Sequence, residues 1–521
     1  MTQDRVEVER VEVERASAPG TVVRVILLAG VSAATAAVLL RGADASYRPN
    51  VLLLAAAFAG FGVLVALEHR RRGLSRPLVI AATSGLFVVA VVVPPVQSND
   101  LWLYASYGRM VSHHDTNPFR ATPSRFPEDP FFGRVDRVWR GTRSLYGPGF
   151  VAVAASGTAV ARDSALGVRL FFQILAAAAI LLALLLVDRR TKDPTAWLLV
   201  GVNPMVVVGV VNGGHNDALV ALALLGGVVL AVARRPILAG VALALGALVK
   251  VIVVLPAVAL LAWLWRRWGL RTALVAGGVV VGIVGAGYLL AGGQTAIDPL
   301  RDAHDQVSRS SIWNAPRREI TFNLIDDGLR GRVAGAMASD RVARWANLAV
   351  AGLALILVVP RLRAKTPTVL VGGAVLAYLL AGAYVVPWYA VWALPVLALA
   401  HRSWVTTVTL ATAAVVTLAY IPDPSRTGEV DPTAVVTPWQ SLRYDIFAVW
   451  VPLAVWVLIA AVVARSLPSL WRAAQDGGGR AMSAMRPKWS LAKVPVSERS
   501  QTTRADSTRP APFSRRQPTK M

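Results

Sequence analysis

Leu78-Val-Ile-Ala-Ala-Thr-Ser-Gly-Leu-Phe-Val-Val-Ala-Val-Val-Val-Pro-Pro-Val96 is an apolar run about as long as a bilayer is thick, and it stops at Gln97-Ser98-Asn99-Asp100. Runs of the same kind recur at roughly 22–40, 50–67, 166–187, 196–211, 218–233, 236–249, 251–265, 272–292, 343–359, 367–384, 386–400, 404–421 and 445–464. The chain is 55% hydrophobic and only 16% charged, with its charges clustered between those runs. These features describe an all-α polytopic membrane protein with about 13–14 transmembrane helices, several shorter than the ~20 residues of a straight span.

Charge sets the expected topology. Arg70-Arg71-Arg72 with Arg76, Arg189-Arg190 with Lys192, Arg234-Arg235, Arg266-Arg267 with Arg271, Arg361 with Arg363 and Lys365, and His401-Arg402 lie in short loops. The positive-inside rule places all six in the cytoplasm. They alternate consistently only if Gly149 to Ala161 is re-entrant or interfacial and 236–265 is two short segments meeting near Lys250. Both termini are then cytoplasmic, and loops 97–165, 293–342 and 422–444 face outward.

Residues 1–21 form a cytoplasmic N-terminal segment with a near-repeat, Val6-Glu-Val-Glu-Arg and Val11-Glu-Val-Glu-Arg, without the form of a cleavable signal peptide. The membrane domain covers 22–465. Residues 466–521 carry eleven basic and three acidic side chains and are expected to be a disordered tail near the inner leaflet. The net charge of +24 therefore points to topology and anionic lipid rather than nucleic acid. With no cysteine, thiolate metal sites and cysteine nucleophiles are excluded. No Walker loop, dinucleotide glycine motif or His-Glu-x-x-His is present, so the energy for any reaction must come with the substrate.

Asp100 opens the longest outward loop, at the boundary between membrane and water. On a helix it shares a face with Tyr104 and Tyr107, a combination that suits a sugar: aromatic faces cover C–H patches while a carboxylate takes a hydroxyl proton. Asn99-Asp100 reads equally as a helix cap. Arg109 and Tyr146 lie farther along the same loop. Asn212-Gly-Gly-His215-Asn216-Asp217 gathers polar side chains between two apolar runs, where they are costly unless paired or used, yet its composition also fits a turn and cap. His215 and Asp217 without a third ligand are a weak metal signal, so no cofactor is expected, with a divalent ion left open.

Lys250 follows an apolar run near the outer interface, as a snorkelling lysine or as a point charge for an anionic headgroup. In the second outward loop, Arg309, Trp313, Arg317 and Arg318 are placed either on a solvated face or over a phosphate-bearing lipid. Pro387-Trp388-Tyr389 and Trp392 resemble an interfacial aromatic belt, and Trp388 and Trp392, four apart, would share a helix face as a groove for a prenyl chain or sugar.

Taken in order, Asn-Asp, Leu-Tyr-x-x-Tyr-Gly-Arg, Asn-Pro-Phe, Tyr-Gly-Pro, Gly-Gly-His-Asn-Asp, Val-Lys and Pro-Trp-Tyr-x-x-Trp-x-Leu-Pro, spanning about 97–395, resemble the actinobacterial polyprenol-phosphate-mannose-dependent α-1,6-mannosyltransferases of the GT-C superfamily. The resemblance implies a plasma-membrane enzyme that uses polyprenyl-phosphate-mannose outside the membrane and extends lipomannan and lipoarabinomannan cores. It implies Asp100 as the base, Lys250 as a donor-phosphate contact, and His215, Asn216 and Asp217 as site-lining residues. Beside Lys250, the charge that develops on a leaving phosphate makes Arg309, Arg317 and Arg318 further candidates. The expected partners are a polyprenyl-phosphate-sugar donor, a glycolipid or mannan acceptor and membrane lipid. Two alternatives remain beside it: a decaprenyl-phosphate-arabinose-dependent arabinofuranosyltransferase, and a lipid or sugar transporter or flippase.

Overall fold

The computed structural model describes residues 19–42, 47–420 and 450–484. The outward loop at 422–444, most of the N-terminal segment and residues 485–521 of the tail lie outside the described residues. By contact density, residues 1–473 form one unit and 474–521 another.

The described residues are helical, with no strand among them. In chain order the helices are α1 Pro19–Arg41, α2 Tyr47–Arg70, α3 Arg76–Val92, α4 Asp100–Ser112, α5 Pro148–Ala161, α6 Ala165–Thr191, α7 Pro194–Gly201, α8 Asp217–Val232, α9 Pro236–Val249, α10 Val254–Trp268 and α11 Leu270–Leu290. They continue as α12 Gln294–Asp302, α13 Asn314–Asp326, α14 Gly331–Val358, α15 Thr368–Ala381, α16 Leu394–Ala398, α17 Trp404–Tyr420 and α18 Val451–Ala484. Seven are long and apolar enough to cross a bilayer, and six shorter apolar helices of 10–17 residues accompany them. The chain is an all-α polytopic membrane protein.

Two apolar runs are not simple spans. Residues 194–211 break at Val202-Asn203-Pro204 into α7 and a π-helical segment Met205–Val211, bent by 53°. Pro204 has no amide to continue the ladder, and Asn203 mends the gap by donating to Leu199 O at 3.2 Å and accepting from Met205 N at 3.0 Å. Every residue from 195 to 218 is buried, so this segment is the axis of the bundle. The run 386–400 is the second exception. Proline at 387 and 395 divides it into a 3-10 turn, Pro387–Trp392, and the five-residue α16, too short to span.

The six basic loops gather on one face. Arg72 pairs with Asp193 at 2.6 Å and Arg76 with Asp188 at 2.5 Å, while His401 Nε2 lies 3.0 Å from Asp193. Arg361 sits over Trp404, the Trp263 indole donates to Ala364 O, and Arg234 sits over Trp268. Because Arg234 lies just before α9 and Trp268 ends α10, these two helices run in opposite directions and turn at Lys250. Residues 236–265 are therefore two segments.

The opposite ends meet on the other face. Gly147 N donates to Val249 O at 3.0 Å, Ser308 and Ser311 donate to Val385 O and Gly382 O, and Asn117 donates to Ala291 O. Helices α4 and α5 run parallel there, with Tyr104 against Phe150, Gly108 against Ala154 and Ser112 bonded to Thr158. A methyl group on Gly108 would come within 2.5 Å of Ala154 O, so glycine sets how closely the pair packs. Helix α5 starts beside Val249 and ends at Arg162, whose carbonyl takes a bond from Arg109 of α4. It begins and ends on this one face and does not cross.

Candidate functional site

Three side chains tie the end of α3 to the buried axis, and so determine where Asp100 stands. Asn212 accepts from Val96 N at 2.8 Å and donates to Ala90 O, Val93 O and Pro94 O at 3.0–3.1 Å. Gln173 of α6 donates to Ala90 O, Val93 O and Asn212 O. Arg169 donates to Val91 O and Val92 O. A helix ends with unpaired carbonyls, and here they are met by side chains from two other elements. Four residues past Val96, Asp100 opens α4, its amide held by Ser98 Oγ at 3.1 Å. Asn99 occupies the cap position but makes no side-chain capping bond, and it is exposed.

The Asp100 carboxylate is 23% exposed above a sealed floor. His215 Nδ1 lies 3.8 Å from Asp100 and 3.9 Å from Asp217, and it meets the Tyr104 hydroxyl at 3.1 Å. The His215 ring stacks on Trp388 at 3.9 Å. The two glycines before it are needed: Gly214 has φ +62°, and a methyl on Gly213 would collide with Gly209 O and with the His215 ring. Asp217 is fully buried, and its Oδ1 receives Lys250 Nζ at 2.8 Å and Trp392 Nε1 at 2.6 Å. Tyr389, Trp392 and Tyr146 surround the ammonium at 4.5, 5.6 and 5.7 Å. Tyr146 in turn meets Tyr104 edge-on at 4.9 Å.

Burial pushes the Asp100 carboxyl up to about 6; Asp217 and Asp136 add to the rise, against the Ser98 hydroxyl and the Lys250 ammonium. Burial, helped by Lys250, holds His215 well below the usual histidine range, so its ring is neutral. Burial also raises Tyr104, which keeps its proton, and its hydroxyl shares a hydrogen bond with His215 Nδ1. The neutral ring carries its one proton on either Nδ1 or Nε2. The Nε2 atom, both amide atoms of Gln97 and both of Asn216 are buried with no hydrogen-bond partner among the described residues.

The structure thus brings Asp100, Tyr104, Tyr146, His215, Asp217, Lys250, Trp388, Tyr389 and Trp392 together from five separate stretches of chain. Asn216 adjoins them, its side chain unpaired. Other expected residues sit apart. Tyr107 is buried behind the cluster, with its hydroxyl on Thr142 O. Arg109 is nine residues along α4, roughly 13 Å away at 1.5 Å per residue. Its guanidinium is paired with Asp129 at 2.7 Å and Asp163 at 2.9 Å. Although burial raises Asp129, its bonds to Arg109 and His114 leave it below the usual carboxylate range. Arg109 is the anchor of the folded outer loop, and this replaces the expectation that it lines the site.

Trp313 donates to Ala381 O at 2.7 Å and belongs to the seam that joins the second outer loop to α15. Arg317 reaches Asn314 at 3.4 Å, with its Nε buried and without a partner among the described residues. Arg309 and Arg318 lie in the same loop, each with interactions of its own. No group of three or more His, Asp or Glu among the described residues has metal-holding geometry. Gln173, Arg169, Gln97 and Asp129 were not singled out from sequence, although Arg169 and Gln173 are the only polar side chains inside the apolar run 166–187 and intramembrane polarity is itself a signal.

Residues 22–267 match the family model described as "Alpha-(1->6)-mannopyranosyltransferase, N-terminal domain". Over that stretch, a little under half of its length, the chain is similar to this family. The matched region contains Asp100, the Asn212–Asp217 segment and Lys250, while Trp388, Tyr389 and Trp392 lie beyond it. Alpha-(1->6)-mannopyranosyltransferase A from Mycobacterium tuberculosis is 24% identical over 201 residues, 37% of this chain. The match spans 38% of that relative's length. No solved structure matches.

Proposed function

We propose that the chain is a membrane mannosyltransferase that moves mannose from polyprenyl-phosphate-mannose onto a hydroxyl of a lipid-linked mannan, forming an α-1,6 bond, with Asp100 as the base. One observation carries this reading: Asp100 is a carboxylate partly open to solvent, raised to about 6 by burial, standing over a floor of paired charges and aromatic rings. A base with that affinity is ionised at neutral pH and still takes a proton readily. Aromatic surfaces beside it suit the C–H faces of a sugar. The activity of the similar family and of the mycobacterial relative supports the sugar and the linkage.

In the proposed step the acceptor hydroxyl gives its proton to Asp100 as its oxygen bonds the anomeric carbon. The bond from that carbon to the phosphate oxygen breaks on the opposite face, and polyprenyl phosphate leaves as an anion. Configuration inverts, and one carboxylate suffices. The second outer loop offers Arg317 as a cation for the phosphate, with Arg309 and Arg318 near it in sequence. With the six basic loops on the cytoplasmic side of the plasma membrane, the site opens outward.

The test is transfer from radiolabelled polyprenyl-phosphate-mannose to an oligomannoside acceptor by purified native protein and Asp100→Asn. We expect α-1,6-linked product from the native protein and a loss of about a thousandfold or more in the variant, with donor binding retained. Transfer by the variant within about tenfold of native would remove Asp100 from the role. Uptake of donor without transfer would favour a transporter, and transfer of arabinofuranose in place of mannose would replace the sugar.

A further inference from the structure

Asp217 is the most deeply enclosed carboxylate of the cluster. Its Oδ1 takes both the Lys250 ammonium and the Trp392 indole. Its Oδ2 has no hydrogen-bond partner among the described residues, and the nearby His215 Nδ1, 3.9 Å away, is hydrogen-bonded to Tyr104 instead. A buried anion needs a cation in contact, and Lys250 supplies it. The ammonium is itself shut in: the Lys250 side chain is 13% exposed, with ring faces of Tyr389, Trp392 and Tyr146 around it. A ligand of a lipid phosphate has to offer its charge outward. Here a phosphate that captured Lys250 would strand Asp217 as a buried, unpaired anion.

We propose that Lys250 is a positioning residue, the fixed counter-charge of Asp217, and that the pair holds the Trp388–Trp392 wall and balances the charge beneath the base. This rests on reading Asp100 as the base. The titratable and charged groups facing Asp100 are Tyr104 and Tyr107 on its own helix, Tyr146 before α5, His215 and Asp217 from the buried axis, Lys250 from the α9–α10 turn, Asp136 from the outer loop and Tyr384 before the 3-10 turn. Of these, the tyrosines keep their protons and His215 is neutral. The carboxylates Asp217 and Asp136 raise the proton affinity of Asp100, and Lys250 lowers it. Removing Lys250 alone therefore leaves two anions acting on Asp100, whereas removing Asp217 and Lys250 together cancels the change. Asparagine at 217 still accepts the Trp392 indole.

The experiment compares native protein, Lys250→Met, Asp217→Asn and the double variant, measuring thermal midpoint, donor KM, kcat and the acid limb of the pH profile. Lys250→Met is expected to lower the thermal midpoint, move the acid limb up by about one pH unit and cut kcat at neutral pH by about twofold. The double variant should recover the midpoint, the limb and most of kcat. A raised donor KM with an unmoved limb, not rescued by Asp217→Asn, would overturn the proposal and return Lys250 to the donor phosphate. If the native protein transfers no mannose, the function fails separately. The four thermal midpoints then still decide the pair: recovery in the double variant supports it, and summed losses overturn it.

Discussion

The Tyr104 hydroxyl and His215 Nδ1, 3.1 Å apart and both fully buried, join the helix that carries the base to the axis of the bundle. Tyr104 stands one turn beyond Asp100 on α4, so this bond fixes the rotation of that helix. Tyr104→Phe keeps the ring contacts with Tyr146, Phe150 and Phe172 and leaves Nδ1 without its partner. The expected cost is about 1–3 kcal/mol of stability, the desolvation penalty of an unmet buried polar atom. Transfer assays should show kcat reduced with donor KM little changed, and thermal unfolding in detergent should give the stability loss.

Asp100 predicts two opposite pH trends. Its carboxyl rises from an ordinary 3.8 to about 6 on folding, so it binds a proton more tightly in the native state. The stability that follows is fully present below about pH 4 and is lost as pH rises through about 6. Asp100→Asn should therefore unfold at a higher temperature than native protein at pH 7, by up to about 3 kcal/mol in free energy, with the difference vanishing near pH 4. Transfer by the native protein should run the other way, rising with pH and levelling above about 6 as the base ionises. Thermal midpoints and kcat/KM measured across pH 4–8 check both trends.

Gln173→Leu removes the amide that bonds Ala90 O, Val93 O and Asn212 O while nearly keeping the side chain's volume. Asn212 still bonds two of these carbonyls, which keeps the effect local. A loss of about 1–3 kcal/mol in stability is expected, together with a fall in kcat as the segment leading to Asp100 loosens. Comparing Gln173→Leu with Gln173→Glu, which lacks the same donors, checks whether the donated bonds carry the effect.

The membrane class was legible because apolar length and clustered arginine follow directly from bilayer thickness and charge asymmetry. The cluster around Asp100 was legible for a related reason: a carboxylate, an imidazole and an ammonium at the ends of apolar runs are expensive unless they meet. Pairing was harder to read. Nothing local distinguishes Arg109, whose carboxylates arrive from Asp129 and Asp163, from an arginine that faces a ligand. The break at Pro204 and the division of 386–400 were also hidden, because hydropathy averages over residues and does not register where the backbone ladder stops. Gln173 was overlooked for the opposite reason, since one amide scarcely alters the hydropathy of the span that carries it.

The charged floor and its aromatic wall are made at different times. Asp100, Asp217 and Lys250 all lie within the first 267 residues, whereas Trp388, Tyr389 and Trp392 are synthesised roughly 120 residues later, several seconds at ~5–20 residues per second. Until then Asp217 has its ammonium but no indole, and His215 has its hydroxyl but no ring to stack on. A ribosome stalled between these points would display Asp100, His215, Asp217 and Lys250 with that wall missing. Cutting the gene there and expressing the two pieces together would make activity a report on whether the halves find each other.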